Sequence, residues 1–265
     1  VKNIAVCMKQ VLDPEMPLSL FRIDPETKSA LPARGAPPVL SPFDENALEA
    51  ALRIKDDEKA KVTVITLGRR LVRAVVTASL AAGADELLLL EDASFNEFDP
   101  FLTASALAAA IRKRGPYDLV LCGLQAADTN AGLVPIGIAC LLGVTCLTGA
   151  REVRLKEESV VVARSLAYGY EVLEAPCPAV VTVTYEVGSL REPGVEAFMS
   201  ASAKPVIVWT AADLELEQAG MAGGRTEILR MEVPVRASRC EILEGESVQA
   251  KAEQLVSRLQ QAKVI

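Results

Sequence analysis

The sequence predicts an α/β fold, a mostly parallel, doubly wound sheet followed by an extended C-terminal arm and a helix. Three observations carry this expectation. Short unbroken apolar runs alternate with stretches of helical period through the first two-thirds of the chain. Hydrophobic residues make up 51% of the 265 and aromatics only 4%, so the core draws on Ala, Val, Leu and Ile. After Trp209 the periodicity fades, and only residues 247–264 read again as an amphipathic helix.

Taken in order, residues 3–8, 61–66, 86–90, 118–122 and 179–184 read as strands. They are apolar runs, unbroken rather than alternating, as strands covered on both faces are. Residues 42–55, 71–82, 100–114 and 131–142 read as the helices between them. Strand–helix–strand repetition implies right-handed crossovers and a parallel sheet. Residues 151–164 read instead as a hairpin around Lys156-Glu157-Glu158. Residues 13–40 are too long for an ordinary connection, which leaves a small β excursion or a functional loop. Residues 213–240 carry weak periodicity and a Gly-rich break at 220–224. The chain therefore divides into an α/β domain, residues 1–209, and an arm, residues 210–265, that has no core of its own and needs a surface to dock on.

The formal charge of −7, without a basic stripe, argues against a nucleic-acid platform. The chain has no histidine, which removes the commonest general base and zinc ligand and every His-dependent triad. No catalytic constellation is expected. Six cysteines include no Cys-x-x-Cys pair, which argues against metal and dithiol chemistry, and Cys122 in its apolar run reads as a small buried hydrophobe. Mean hydropathy is +0.27, high enough for a fully covered sheet or a sizeable apolar contact surface. With neither a signal peptide nor a membrane-length apolar run, and with free thiols, the expected location is the cytoplasm, without stable membrane insertion.

Ligands of open α/β sheets bind at the carboxyl ends of the strands. Four segments qualify here. The first strand ends at Cys7-Met8-Lys9-Gln10, which alone reads as a strand end with one solvated lysine. Ser41-Pro42-Phe43-Asp44 opens a helix: Ser41 fits the N-cap, Pro42 the first position, and Asp44 the far member of a capping box. Free N–H groups of such a turn also suit a ribose or phosphate oxygen. Thr66-Leu67-Gly68 follows a strand and serves a turn equally well. The most informative segment is Gly123-Leu124-Gln125-Ala126-Ala127-Asp128-Thr129-Asn130-Ala131-Gly132, between a buried strand and the next helix. Its small residues admit a ligand to the backbone, Asp128 suits a ribose or caps the helix, and the helix start favours an anion.

Together these segments resemble the beta subunit of electron transfer flavoproteins. The resemblance runs through Val6-Cys7-Met8-Lys9-Gln10-Val11, Ser41-Pro42-Phe43-Asp44-Glu45-Asn46-Ala47, Val64-Ile65-Thr66-Leu67-Gly68, Ala81-Ala82-Gly83-Ala84-Asp85-Glu86, Asp118-Leu119-Val120-Leu121-Cys122-Gly123, Gln125-Ala126-Ala127-Asp128 and Pro178-Ala179-Val180-Val181-Thr182-Val183. It implies an adenine-nucleotide-hydrolase-like fold and a heterodimer with an FAD-carrying alpha subunit. It also implies AMP, or in bifurcating members a second FAD, in the beta subunit. By position Cys7, Ser41, Pro42, Phe43, Asp44, Leu67, Gly68 and the loop Leu124, Gln125, Asp128, Thr129, Asn130, Ala131, Gly132, Leu133, Val134 would surround that nucleotide. Thr103 matches a threonine near the second flavin. The arm after Trp209 resembles the one that wraps the alpha subunit. The loop from Tyr185 to Pro193 resembles the one that docks a flavoprotein dehydrogenase or oxidoreductase, with Val187 at its apolar and Arg191 at a basic position.

The chain departs from the family's pattern at several places. Asn130 stands for an acidic residue, Leu133 for a glutamine, Pro135 for a glycine, and Leu124 where arginine is frequent. Leu124 and Leu133 remove polar side chains from the phosphate region, and Pro135 removes an N–H donor. Ala167 and Tyr168 also depart, as do Ser200 and Ser202 for a basic pair. The readings are thus an electron-carrier subunit with AMP or FAD, a structural subunit with a degenerate, empty site, or a free-standing nucleotide-binding protein.

Overall fold

The first apolar run folds as β1 (Lys2–Met8), whose last five residues are buried. A computed structural model describes residues 1–33, 35–216, 226–233 and 240–265 of the chain. The excursion after β1 holds two small antiparallel ladders: β2 (Gln10–Val11) pairs with β5 (Val39–Leu40), and β3 (Arg22–Asp24) with β4 (Ser29–Leu31). This is the small β excursion allowed by the sequence.

Helix α1 (Pro42–Asp57) then leads to β6 (Ala60–Gly68). The single helix expected over residues 71–82 is two short ones, α2 (Arg73–Val76) and α3 (Ala78–Ala82). The break falls at Thr77, whose hydroxyl donates to the Arg73 carbonyl at 2.7 Å, as Ser79 does to Val76. Such back-bonding by Ser and Thr competes with regular helix. Strand β7 (Glu86–Glu91) follows, with Leu87 to Leu90 fully buried. Removing one such side chain to alanine costs about 2–5 kcal/mol.

Helix α4 (Pro100–Arg114) matches its expected bounds, because both ends are signalled locally. Asp99 accepts from the N–H groups of Phe101 and Leu102, Pro100 fills the first position, and Arg112 to Arg114 face the negative end of the dipole. Next come β8 (Leu119–Gly123) and α5 (Val134–Leu142). Helix α5 starts three residues later than the apolar pattern allows, since Asn130 and Gly132 adopt φ of 51° and 63°. Residues 131–133 remain loop.

The expected hairpin is the first part of a meander, β9 (Thr145–Leu155), β10 (Ser159–Leu166) and β11 (Gly169–Pro176). Arg164 and Glu171, opposite each other, form an ion pair across its outer two strands. The chain returns through β12 (Ala179–Val183), crosses α6 (Val195–Ala201), and adds β13 (Val206–Trp209) at the far edge.

The nine-stranded sheet has the order β11-β10-β9-β12-β8-β1-β6-β7-β13. All neighbours are parallel except within the β9–β10–β11 meander. Helix α1 and α3 lie over one apolar face, α4 and α5 over the other. From β1 the chain steps outward through β6 and β7, then returns across the sheet to place β8 on the other side of β1. That reversal creates a topological switch point between β1 and β8. Residues 210–216 continue on the same unit: Leu214 and Leu216 are buried in the α4–α5 core.

Contacts divide the chain into Val1–Met231 and Glu232–Ile265. In the second unit α7 (Val248–Gln261) is capped by Ser247, whose hydroxyl accepts from the Ala250 N–H at 3.1 Å. None of its described residues is buried. The Gly-rich break at residues 220–224 lies outside the described residues. Among the described residues, no helix is long and apolar enough to cross a membrane.

Candidate functional site

A cleft of about 820 Å³, counted out to solvent, opens at the switch point, over the carboxyl ends of β1, β6 and β8. Of the residues proposed from sequence, Cys7, Asp44, Leu67, Thr103, Gln125, Thr129, Ala131, Gly132, Leu133 and Val134 line it. Ser41, Pro42, Phe43, Gly68, Leu124, Asp128 and Asn130 stand around it without lining it.

Their positions have physical reasons. Ser41 is the N-cap of α1 and Pro42 opens the helix, yet the Ser41 hydroxyl does not cap it. It accepts instead from the Ala127 N–H at 3.4 Å, on the loop after β8. Asp44 does not close a capping box either. Its carboxylate accepts from the Lys9 N–H at 2.8 Å and the Gly123 N–H at 3.1 Å, so it clasps the ends of β1 and β8. Gly123 has no room for a side chain: a Cβ there would lie 2.6 Å from Asp44 Oδ1 and 2.7 Å from the Phe43 carbonyl oxygen. Burial pushes the Asp44 carboxyl up to about 7, against the pull of the two N–H groups, the Lys9 charge and Ser41.

Gly68 sits beneath the Leu71 side chain. Leu124 prolongs the β8–β12 pairing by donating to the Val183 carbonyl at 3.0 Å. Asn130 donates to the Ala126 carbonyl at 2.8 Å while its backbone turns left-handed. Left-handed turns at Asn130 and Gly132 are of the kind that gather N–H groups into anion-holding concavities. Among the described residues, the buried Oγ1 of Thr103 meets no hydrogen-bond partner.

The lysine read as solvated is not. Lys9 Nζ lies 2.7 Å from Asp128 Oδ2 and 5.6 Å from the ring centre of Phe98, and it donates to the Glu97 carbonyl at 3.3 Å. Among the described residues lining the cleft, Lys9 is the one cation. Sequence reasoning also missed Glu97, Phe98, Pro100 and Leu107, which form the wall on the β7–α4 side. That connection is a further strand-end loop, and its position after β7 is the signal that could have found it.

Val187 and Arg191 lie away from the cleft, on the loop after β12. Val187 is buried in the core beneath α1. Arg191 Nε lies 3.0 Å from Glu49 Oε2, and its Nη1 lies 2.7 Å from Asp56 Oδ2. Asn46 Nδ2 donates to the Gly188 carbonyl at 2.7 Å. Helix α1 thus meets the cleft at its first turn and holds this loop along its flank. Tyr185, at the loop's start, is largely exposed.

Among the described residues there is no group of three or more Cys, Asp or Glu side chains placed to hold a metal ion.

Comparison with known proteins agrees with this architecture. A family model, the electron transfer flavoprotein domain, matches residues 32–214. The electron transfer flavoprotein subunit beta of Thermoanaerobacterium thermosaccharolyticum is 36% identical, with 99% of this chain and 100% of that protein aligned. The caffeyl-CoA reductase-Etf complex subunit CarD of Acetobacterium woodii is 35% identical over the same shares of both chains. Protein FixA of Bradyrhizobium diazoefficiens is 32% identical over 93% of this chain and 88% of its own. An α/β sheet with its cleft at the switch point and similarity along the full length lead to one assignment: the chain belongs to the electron transfer flavoprotein family, among its beta subunits, which are electron-transfer proteins.

Proposed function

We propose that this chain is the beta subunit of a heterodimer with an FAD-carrying alpha subunit, and that it holds an adenine nucleotide, AMP or a second FAD, in the switch-point cleft. The carrying observation is the cleft itself, where ten of the residues proposed from sequence line one concavity. Thr103 Oγ1, buried without a partner, offers a hydrogen bond to a ligand there. Gln125 and Thr129 supply further polar groups, and Ala126, Ala131 and Gly132 leave the backbone open to close approach. Leu67, Phe98 and Leu107 provide an apolar wall for a flat ring.

FAD, when bound, supplies the electron-carrying chemistry, and the residues of this chain bind, orient and shield. Electrons would pass between a flavoprotein dehydrogenase or oxidoreductase and an acceptor. The loop from Tyr185 to Pro193, held to α1 through Arg191 and closed beneath by Val187, is the proposed docking element for that dehydrogenase. The tail is the proposed alpha-binding arm: α7 buries none of its described residues, and Leu255 and Val256 stand about half exposed on it.

A second reading, a structural subunit with a degenerate site, is favoured by the Lys9–Asp128 ion pair, which neutralises the cleft's cation, and by Leu133 and Pro135. Co-expression with the alpha subunit, purification and chromatography of released nucleotides separates these readings. One FAD and one AMP per heterodimer supports the carrier, two FAD the bifurcating form, and one FAD alone the degenerate site. Failure to form a heterodimer overturns both readings.

A further inference from the structure

We propose that Cys7 and Cys122 form a redox-active dithiol at the floor of the cleft, closed to a disulfide by a small peroxide. The absence of a Cys-x-x-Cys pair argued against dithiol chemistry, but the sheet brings together what the sequence keeps apart. Strands β1 and β8 pair in parallel with Cys7 opposite Cys122. Partners in a parallel register project to the same face, and both residues belong to the core on the α4–α5 side. Both also line the cleft.

The spacing suits a bond. Neighbouring strands lie about 4.8 Å apart, inside the Cα range of roughly 4.4–6.8 Å that disulfides span. The neighbouring Cys7 thiol and burial together push the Cys122 thiol up. Both cysteines are free and nearly closed to solvent, at 6% and 3% exposure. Bulky thiols are thereby excluded, while a peroxide reaches the sulfurs through the cleft. None of the other four lines the cleft: Cys146 lies on β9, packed against the same core and separated from β8 by β12, Cys177 is half-buried, and Cys140 and Cys240 are exposed.

The reaction balances with hydrogen peroxide as the oxidant. Each thiol gives up one proton and one electron, a sulfur–sulfur bond forms, the O–O bond breaks, and two waters leave. A dithiol reductant reverses it. The bond would tie β1 to β8 one residue before Met8 and Gly123, from which both cleft loops depart. The pairing rests on the register of β1 and β8, not on which nucleotide the cleft takes.

The test uses the full chain carrying Cys140→Ser, Cys146→Ser, Cys177→Ser and Cys240→Ser, beside the wild type. Each is treated with hydrogen peroxide, alkylated after unfolding, digested without reduction and mapped by mass spectrometry. The expected product is a Cys7–Cys122 linked peptide lighter by two hydrogens, lost on treatment with dithiothreitol. In Cys122→Ser no linked peptide containing Cys7 should form. The wild-type map stands on its own if a variant fails to fold. Recovery of Cys7 and Cys122 as alkylated thiols, their separate conversion to sulfinic acids, or pairing of either with another cysteine overturns the proposal.

Discussion

Lys9 and Asp128 meet at 2.7 Å and join the end of β1 to the loop after β8. An anion entering the cleft competes with Asp128 for that ammonium group. Asp128→Asn should therefore tighten binding of inorganic phosphate and AMP. A part-exposed pair is worth about 1 kcal/mol at most, or roughly a fivefold change in affinity. Calorimetric titration at low ionic strength measures it, and added salt should shrink the difference. Equal affinity in both proteins would show that ligands do not use Lys9.

Asp44 makes a prediction in pH. Its folded-state carboxyl, pushed up by burial to about 7, binds its proton more tightly than the unfolded chain does. Stability from the protonated form is thus fully present below about pH 4 and declines as pH rises towards 7. A shift of this size corresponds to about 4 kcal/mol across the window. Asp44→Asn should flatten that slope, read by urea unfolding at a series of pH values. It should also lower stability at pH 4, because an amide places a donor against one of two N–H groups. A slope identical to the wild type would place the titration elsewhere.

Arg191 gives Glu49 both its backbone N–H, at 3.1 Å, and its guanidinium. The Glu49 side chain is only 6% exposed, and its remaining partner is Arg53. Arg191→Ala should cost about 1–3 kcal/mol, as an under-satisfied buried carboxylate does. Faster amide exchange is expected in residues 185–193, with the cleft unchanged. If global stability falls and exchange in that segment does not rise, the loop is held by other contacts.

The arm can be cut at two places with different outcomes. A chain ending at Met231 should retain the melting behaviour of the sheet and lose the alpha subunit, judged by co-purification. A chain ending at Trp209 removes Leu214 and Leu216, both buried against α4 and α5, and should melt lower. Undiminished heterodimer formation by the first chain would remove the arm from the interface.

Much of the fold was legible because its signals are local. The runs that became β1, β6, β7, β8 and β12 are mostly apolar, and Asp99-Pro100 with Arg112 to Arg114 marks both ends of α4. What stayed hidden depends on residues distant in sequence. Strand β13 alternates in burial at an edge and needs β7 to exist. The start of α5 is set by left-handed backbone at Asn130 and Gly132, which apolar periodicity does not report. Asp44 looked like part of a helix cap because its true partners, Lys9 and Gly123, lie on two other strands. Lys9 looked solvated because Asp128 was out of sight.

The contact between Gly123 and Asp44 bears on how such sequences should be compared. A glycine closing the strand before a ligand loop is commonly taken as a mark of an occupant that needs close approach. Here the space is already filled by Asp44 and the Phe43 carbonyl. A lineage that abandoned its nucleotide would still be held to this glycine by its own backbone. The proposed nucleotide site is better tested at Thr103, Gln125 and Thr129, polar residues that line the cleft without such a backbone role.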